Sequence, residues 1–204
     1  MIVTGSILGW MVFIAPAAAG MVAGHPPAPR TCAAHAYTVV STEDFSAGYG
    51  RNRVMLCITS DAEEFVARAH TVIQAALDYH LNVGADYIQV AMTPIRDMGC
   101  NDYYTAVAEY SPDGRGITGN ERNHFWGVRA TDIVLDIEEK LVLKAWQEAR
   151  PAFEIDGEVD LERMKQHLAR QLNLSPDEVE DYWLTSVEMG MTMRGYRIEQ
   201  HEQQ

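Results

Sequence analysis

Short apolar runs alternate with turn-forming residues through most of the chain, and this pattern predicts β-strands around a single helix. Segments rich in β-branched and aromatic residues predict strands at 36–42, 54–59, 85–92, 103–110 and 125–130. After the second strand, apolar side chains recur at helical spacing from Phe65 to Leu77, which gives this segment one apolar face. Ser60 or Asp61 is the predicted N-cap of this helix, and Gly84 is its predicted end.

The last third of the chain changes to a helical period, and three more helices are predicted there. Thr131 or Asp132 is the predicted cap of the first, and the second covers 161–172 with leucine and methionine on one face. The third begins at Ser175, because a serine cap, a proline at the first helical position and Glu178 at the third form a helix-start signature.

The order of these elements predicts an α+β fold. We expect an antiparallel or mixed sheet of about four to five strands packed with one central helix, followed by a C-terminal helical segment. The predicted organisation is a signal peptide at 1–19, a proline-rich linker at 20–35, the α+β domain at 36–132, the helical segment at 133–190 and a polar tail at 191–204.

The amino-terminal residues predict export. Arg30 is the first charged side chain, and Ile7–Ala15 is an apolar run of the length found in signal-peptide cores. Ala17-Ala18-Ala19 matches a cleavage site, which predicts a periplasmic or secreted protein cleaved after Ala19. No Lys or Arg precedes the apolar run. Two alternatives therefore stay open: a membrane anchor formed by this segment alone, and a cytoplasmic protein that starts near Met21.

Charge and cysteine content narrow the function classes. The chain has 29 acidic and 16 basic side chains, a net charge of −13 with no basic cluster, which disfavours binding to nucleic acid. In an exported protein Cys57 and Cys100 could form a disulfide, because both lie in or near predicted strands, while Cys32 lies in the linker. Buried or free thiols are the alternative for all three.

The glycine-rich stretch Gly114–Gly119 matches the dinucleotide fingerprint G-x-G-x-x-G, but its context does not. That motif requires a helix directly after the glycines, and the residues that follow, "NERNHFWGV", have no apolar helical face. Ser111-Pro112-Asp113-Gly114 instead predicts a β-turn. We therefore expect a long loop between two antiparallel strands, and loops of this length tend to be functional or disordered.

The loop and its exit hold the candidate binding residues Asp113, Arg115, Arg122, His124 and Trp126. The two arginines and His124 could hold a carboxylate or phosphate against the Trp126 ring, although a solvated loop beside a core tryptophan is the simpler interpretation. We find no catalytic motif, no metal-ligand spacing and no cofactor fingerprint, so no catalytic residue, metal or cofactor is predicted.

Residues 37–179 resemble an uncharacterised bacterial domain-of-unknown-function family found in chromosomal, plasmid and phage-associated genes. The resemblance rests on "YTVVS", "GADYIQV", "AEYSPDGRGITG", "WGVRATD" and "LNLSPDEV", and its distinctive part is a YxPDGxGxxG loop. It implies no activity, substrate or site residues.

The leading hypothesis is a non-enzymatic envelope or secreted domain that binds a partner protein or small ligand. One alternative is a small enzyme that uses Asp113, Arg122 and His124, which requires these side chains to converge in a cleft. Another is a cytosolic accessory protein of a mobile element.

Overall fold

The fold comes from a computed structural model that describes residues 31–48, 50–100 and 103–198. The predicted signal peptide, with its cleavage site, and most of the predicted linker lie outside the described residues. The strands are β1 (Tyr37–Asp44), β2 (Arg53–Ser60), β3 (Tyr87–Thr93), β4 (Ala106–Tyr110), β5 (Trp126–Ala130), β6 (Glu154–Ile155), β7 (Glu158–Val159) and β8 (Arg194–Gly195). The helices are α1 (Phe65–Asn82), α2 (Ile137–Phe153), α3 (Leu161–Leu172) and α4 (Pro176–Met191), with a short 3-10 helix at Arg96–Met98.

Six strands form one mixed sheet in the order β1-β2-β3-β4-β5-β8, and β6 and β7 form a separate hairpin. β2 and β3 are parallel and are connected by α1, whereas the other neighbouring pairs are antiparallel. The predicted α+β class, with a mixed sheet, one central helix and C-terminal helices, is confirmed. The sixth strand, β8, falls inside the segment predicted as a polar tail.

The main core lies between α1 and one face of the sheet. Alternate residues of β2–β5 point toward α1. The facing side chains of α1 are small or β-branched, which allows the helix to pack closely on the sheet. The fully buried members include Ile58, Ala69, Val72, Ile73, Ala76, Ile88, Val90, Ala106, Ala108 and Ala130.

The start of α1 differs from the prediction. The helix begins at Phe65, and Glu64 at its N-cap makes no side-chain capping bond. The predicted caps Ser60 and Asp61 lie too far before Phe65 to cap the helix: the Ser60 hydroxyl donates to the Ala36 carbonyl at 2.8 Å, at the end of the β1–β2 pair, and Asp61 pairs with His35.

The other helix starts follow their capping residues. α3 has the bounds that its apolar stripe predicts, and α4 begins with the predicted capping box of Ser175 and Glu178. α2 begins later than expected, because Asp136 and Glu139 form its capping box.

The buried Arg68 of α1 explains why α2 begins later than predicted. Its guanidinium donates to the carbonyls of Thr131 at 2.6 Å and Ile133 at 2.8 Å, and these bonds hold the chain extended beyond β5. Arg68 also donates to the Ala62 carbonyl at 3.1 Å. One arginine thereby ties α1 to the segment that leads into the helical part of the chain.

Helices α2, α3 and α4 have a core of their own. Trp146 and Trp183 stack with ring centroids 4.9 Å apart, and Met164, Leu168 and Val179 are fully buried around them. A third cluster, made of Met98, Leu135, Leu143 and Met189, joins these helices to the loop after β3. Neither cluster includes a residue from the face of β2–β5 opposite α1. Among the described residues no helix is long and apolar enough to cross a bilayer.

Candidate functional site

The glycine-rich stretch is the connection between β4 and β5, and these strands are antiparallel, as predicted. It begins with the predicted turn, in which the Gly114 amide donates to the Ser111 carbonyl at 3.0 Å. The loop then folds back on itself, with the His124 amide donating to the Gly114 carbonyl at 2.9 Å. No helix lies between the last glycine, Gly119, and the start of β5 at Trp126, so none is present there to receive a dinucleotide phosphate.

Asp113 fixes the loop to the rest of the protein. Its two carboxylate oxygens accept hydrogen bonds from Arg51 at 3.0 and 3.1 Å, and one of them also accepts from the Ser111 hydroxyl at 2.8 Å and the Arg115 amide at 3.0 Å. Partial burial disfavours the charged carboxylate, but these hydrogen bonds and the Arg51 charge outweigh it and lower the pKa of Asp113 to about 2. Asp113 is therefore an ionised brace for the loop.

Two glycines are required where the loop passes close to its own side chains. Gly114 has φ +68°, and a Cβ there would lie 2.7 Å from the Phe125 ring. Gly116 has φ +63°, and a Cβ there would overlap the Glu121 carboxylate. Both positions have a left-handed backbone that favours glycine, and at Gly114 the Phe125 ring also leaves no room for a Cβ, whereas the flexible Glu121 side chain beside Gly116 could turn away. The loop is therefore a closely packed, preorganised structure.

The loop places His124 between two carboxylates. Its Nε2 lies 3.5 Å from a Glu109 oxygen and its Nδ1 lies 3.2 Å from a Glu121 oxygen. All three side chains are about one third exposed: His124 at 36%, Glu109 at 33% and Glu121 at 37%. A neutral imidazole carries one N–H and can donate to only one carboxylate at a time, so the other carboxylate remains able to accept a hydrogen bond. We call these three residues the His124 cluster.

The Tyr87 side chain is buried beside this cluster. Burial is the main cause that raises the pKa of its hydroxyl, and the neighbouring Glu109 carboxylate adds to the effect. The ring contacts Phe45 edge-on at 6.2 Å. Tyr87 is therefore a neutral, fixed support on one side of Glu109.

Glu109 also belongs to a row of aligned residues that crosses the sheet on the face opposite α1. Neighbouring strands align Glu43 with Met55, Met55 with Gln89, Gln89 with Glu109 and Glu109 with Gly127. Glu43 is exposed and the other four are partly exposed. We call these five residues the open row. With neighbouring strands 4.7–4.9 Å apart, it is about 19 Å long.

A disulfide lies beside the open row. The structure joins Cys57 to Cys100 with their Cα atoms 5.4 Å apart, and Cys32 is exposed and free. Cys57 is two residues after Met55 on the same face of β2, so the bond holds the loop after β3 against that face. The open row thus lies beside one loop tied by a disulfide and ends at another braced by Asp113.

The predicted site residues do not form one group. Asp113 pairs with Arg51, and His124 pairs with Glu109 and Glu121. Trp126 stacks on Tyr110 at 4.2 Å, on the face that packs against α1, because it aligns with Tyr110 and not with Glu109.

The two predicted arginines are exposed. Arg115 helps to hold the loop in shape through its backbone: its amide donates to Asp113, and its carbonyl accepts from the Glu121 amide at 3.1 Å.

The prediction from sequence missed three important residues: Arg51, Glu109 and Tyr87. Glu109 is the one charged residue in the strand "AVAEY", and a lone charge in an otherwise apolar strand was the available signal. Arg51 and Tyr87 carried no such signal. In the part of the chain that the structure describes, no three His, Cys, Asp or Glu side chains converge to hold a metal ion.

Comparison with known proteins shows the family and the fold of this chain. Residues 32–184 match the family model "Domain of unknown function (DUF4875)", and no curated protein matches the chain. A crystal structure of a DUF487 family protein from Desulfovibrio piger is similar, with a TM-score of 0.59 and 22% sequence identity. The similarity covers 82% of this chain and 97% of that chain, and at this identity it shows the fold alone. The resemblance to an uncharacterised family is confirmed, while the YxPDGxGxxG loop as its signature and a bacterial origin stay predictions. The chain belongs to the DUF4875 family of domains of unknown function.

Proposed function

We propose that this protein is an exported, non-enzymatic binding domain that recognises a partner protein through the open row and the His124 cluster. The observation that carries the proposal is the placement of His124 between Glu109 and Glu121 at the end of a partly exposed row. A rigid loop fixes this arrangement, and binding residues are commonly held on loops by a rigid scaffold.

The shape of the site favours a protein segment over a small ligand. Small molecules are usually enclosed in concave pockets of about 300–1,000 Å³. The open row is instead a strip of sheet about 19 Å long, which suits an extended segment or a helix face. Polar and carboxylate side chains along it would accept hydrogen bonds from the partner.

The charge of the site indicates a basic partner. Glu43, Glu109 and Glu121 supply three carboxylates, and the chain as a whole has a net charge of −13. Lys or Arg side chains would gain charge-assisted hydrogen bonds there. The approach of such a partner should be accelerated by the long-range field and slowed by salt.

The disulfide supports export. Disulfides persist in oxidising compartments and are rare in the cytosol, so a Cys57–Cys100 bond suits an envelope or secreted protein. Expression of the full-length gene followed by amino-terminal sequencing of the mature protein tests this part. Cleavage after Ala19 is the expected result, and a cytosolic protein that retains Met1 would contradict it.

The binding part is tested by photo-crosslinking in cells that express the full chain. A benzophenone side chain at Gln89, in the middle of the open row, is compared with one at the exposed Gln171 of α3. We expect a discrete protein adduct at Gln89 that is absent at Gln171 and falls at least about fivefold when Glu109→Gln and Glu121→Gln are combined. Adducts of equal yield at both positions, or adducts insensitive to the two substitutions, would contradict the proposed surface.

A further inference from the structure

His70 of α1 joins the two ends of the described chain. The ring is 5% exposed, and its two nitrogens contact segments that are far apart in sequence. Nδ1 lies 3.1 Å from the Ala33 amide nitrogen, and Nε2 lies 2.6 Å from the Tyr196 hydroxyl oxygen. Tyr196 is held in turn by its own amide, which donates to the Val128 carbonyl at 2.8 Å.

These contacts determine where the proton of His70 lies. A backbone N–H can only donate, so Nδ1 must accept from Ala33 and must be unprotonated. The proton of the neutral ring is then on Nε2, which donates to the Tyr196 hydroxyl. An imidazolium would carry a second N–H at Nδ1, directed at the Ala33 N–H, and two donors cannot bond to each other.

We propose that His70 is a pH-sensitive latch that holds residues 31–34 against α1 while its imidazole is neutral and releases them when the ring is protonated. Tyr196 is the positioning residue of this latch. Its hydroxyl can accept from Nε2–H in both states, so the carboxyl-terminal contact survives while the amino-terminal one is lost. Residues 31–34 belong to the predicted linker, so the latch controls how the described end of that linker attaches to the folded part.

The surroundings of the ring favour the neutral form. Burial lowers the pKa of His70 below its ordinary value of 6.5. Several charged groups of the elements packed around it have partners of their own: Arg194 pairs with Asp132 and lies over the Phe65 ring, His35 pairs with Asp61 at 2.9 Å, Arg68 donates to the Thr131 and Ile133 carbonyls, and Asp78 accepts from Tyr37 and Gln74. Arg129 and Arg197 are exposed to solvent. Because the folded state disfavours the proton, attachment of the segment weakens as the pH falls below 6.5.

Two other hydrogen bonds hold this segment and the residue that follows it, and they limit the size of the effect. The Thr31 hydroxyl donates to Gln74 at 2.5 Å, and the His35 amide donates to the Thr71 hydroxyl at 2.9 Å. Neither acceptor titrates near neutral pH. Protonation of His70 therefore removes the Ala33 hydrogen bond and leaves these two in place. We expect partial release of the segment with the fold retained.

NMR on the full chain with ¹⁵N-labelled histidine tests the latch directly. At pH 7.5 we expect the Nε2–H tautomer for His70. On titration to pH 5 the Ala33 amide should lose at least about tenfold in exchange protection, after correction for intrinsic rates. The Gly114 amide, whose acceptor is the Ser111 carbonyl, should not change over the same range. An Nδ1–H tautomer at pH 7.5, or Ala33 protection that stays constant while His70 titrates, would overturn the proposal.

His70→Asn provides the matched variant, because its side-chain oxygen can occupy the place of Nδ1 and accept from Ala33 at any pH. We expect Ala33 protection in this variant to be independent of pH between 5 and 7.5, and a retained pH dependence would overturn the latch. If the variant does not fold, the tautomer and the Ala33 titration of the natural chain decide the question alone.

Discussion

The close approach of Gly114 to Phe125 gives the sharpest test of the rigid loop. Gly114→Ala adds a Cβ that would lie 2.7 and 2.8 Å from two carbons of the Phe125 ring. Gly50→Ala is the matched control, because Gly50 has φ +64°, close to the +68° of Gly114, and its added Cβ would have no atom within 4 Å. The two variants share the backbone penalty and differ in the contact.

The expected cost divides into two parts. A non-glycine residue in the left-handed region costs about 1–2 kcal/mol of unfolding free energy, and both variants lose this amount. Forcing an extra carbon into a packed site costs about 1–3 kcal/mol more, and only Gly114→Ala has this cost, since a ring cannot bend away as a flexible side chain does. We therefore expect Gly114→Ala to be less stable than Gly50→Ala by about 1–3 kcal/mol.

Urea unfolding of both variants, with the disulfide oxidised, measures the difference as a change in midpoint at equal slope. In thermal unfolding each kcal/mol corresponds to a shift of about 2–4 °C for a chain of this size. Equal stability of the two variants would refute the reasoning, because it would mean that the Phe125 ring moves freely and that the loop is not preorganised around it.

Three further predictions concern the brace, the disulfide and the helical core. Asp113→Asn should reduce the loss of unfolding free energy on acidification between about pH 4 and 2. The reason is that a carboxyl whose pKa is lowered from 3.8 to about 2 stabilises the fold above this window and not below it. Because the carboxylate is 41% exposed, acid unfolding curves should show an effect near that of an ordinary ion pair, about 1 kcal/mol. Reduction of the Cys57–Cys100 bond, which spans 43 residues, should cost about 4 kcal/mol in urea unfolding. Leu168→Ala should cost about 2–5 kcal/mol because Leu168 is fully buried, whereas Leu184→Ala, at a position 48% exposed, should cost much less in the same assay.

Much of the fold can be predicted from the sequence because it depends on local patterns. The apolar stripe of α3 gives its bounds, and the signature at Ser175 gives the start of α4. These signals lie within one or two helical turns, so they need no knowledge of tertiary contacts. The same reasoning failed at the start of α1, where the Ser60 hydroxyl closes a strand pair, and at α2, where bonds from Arg68 delay the helix.

The candidate site could be predicted only in part, because its partners are distant in sequence. Proline and glycine preferences reveal the turn at Ser111, which begins the loop. Nothing local shows that Arg51 binds Asp113, 62 residues away, or that His124 meets Glu109 across two strands. Local patterns also cannot show that Trp126 points to the α1 side, since this depends on the register of β5 against β4.

The open row depends on register most of all, and its far end depends on a single residue. β1 pairs with β2 through a bulge between Val39 and Ser41, and only beyond this bulge does Glu43 align with Met55. If the same residues paired in one continuous register, with no bulge, Glu43 would align with Val54, whose side chain belongs to the core. The sequence around the bulge is Val-Val-Ser, with no glycine to mark it. The bulge therefore places a carboxylate at the exposed end of the row, and the proposed binding surface depends here on an irregularity that no periodic pattern reveals.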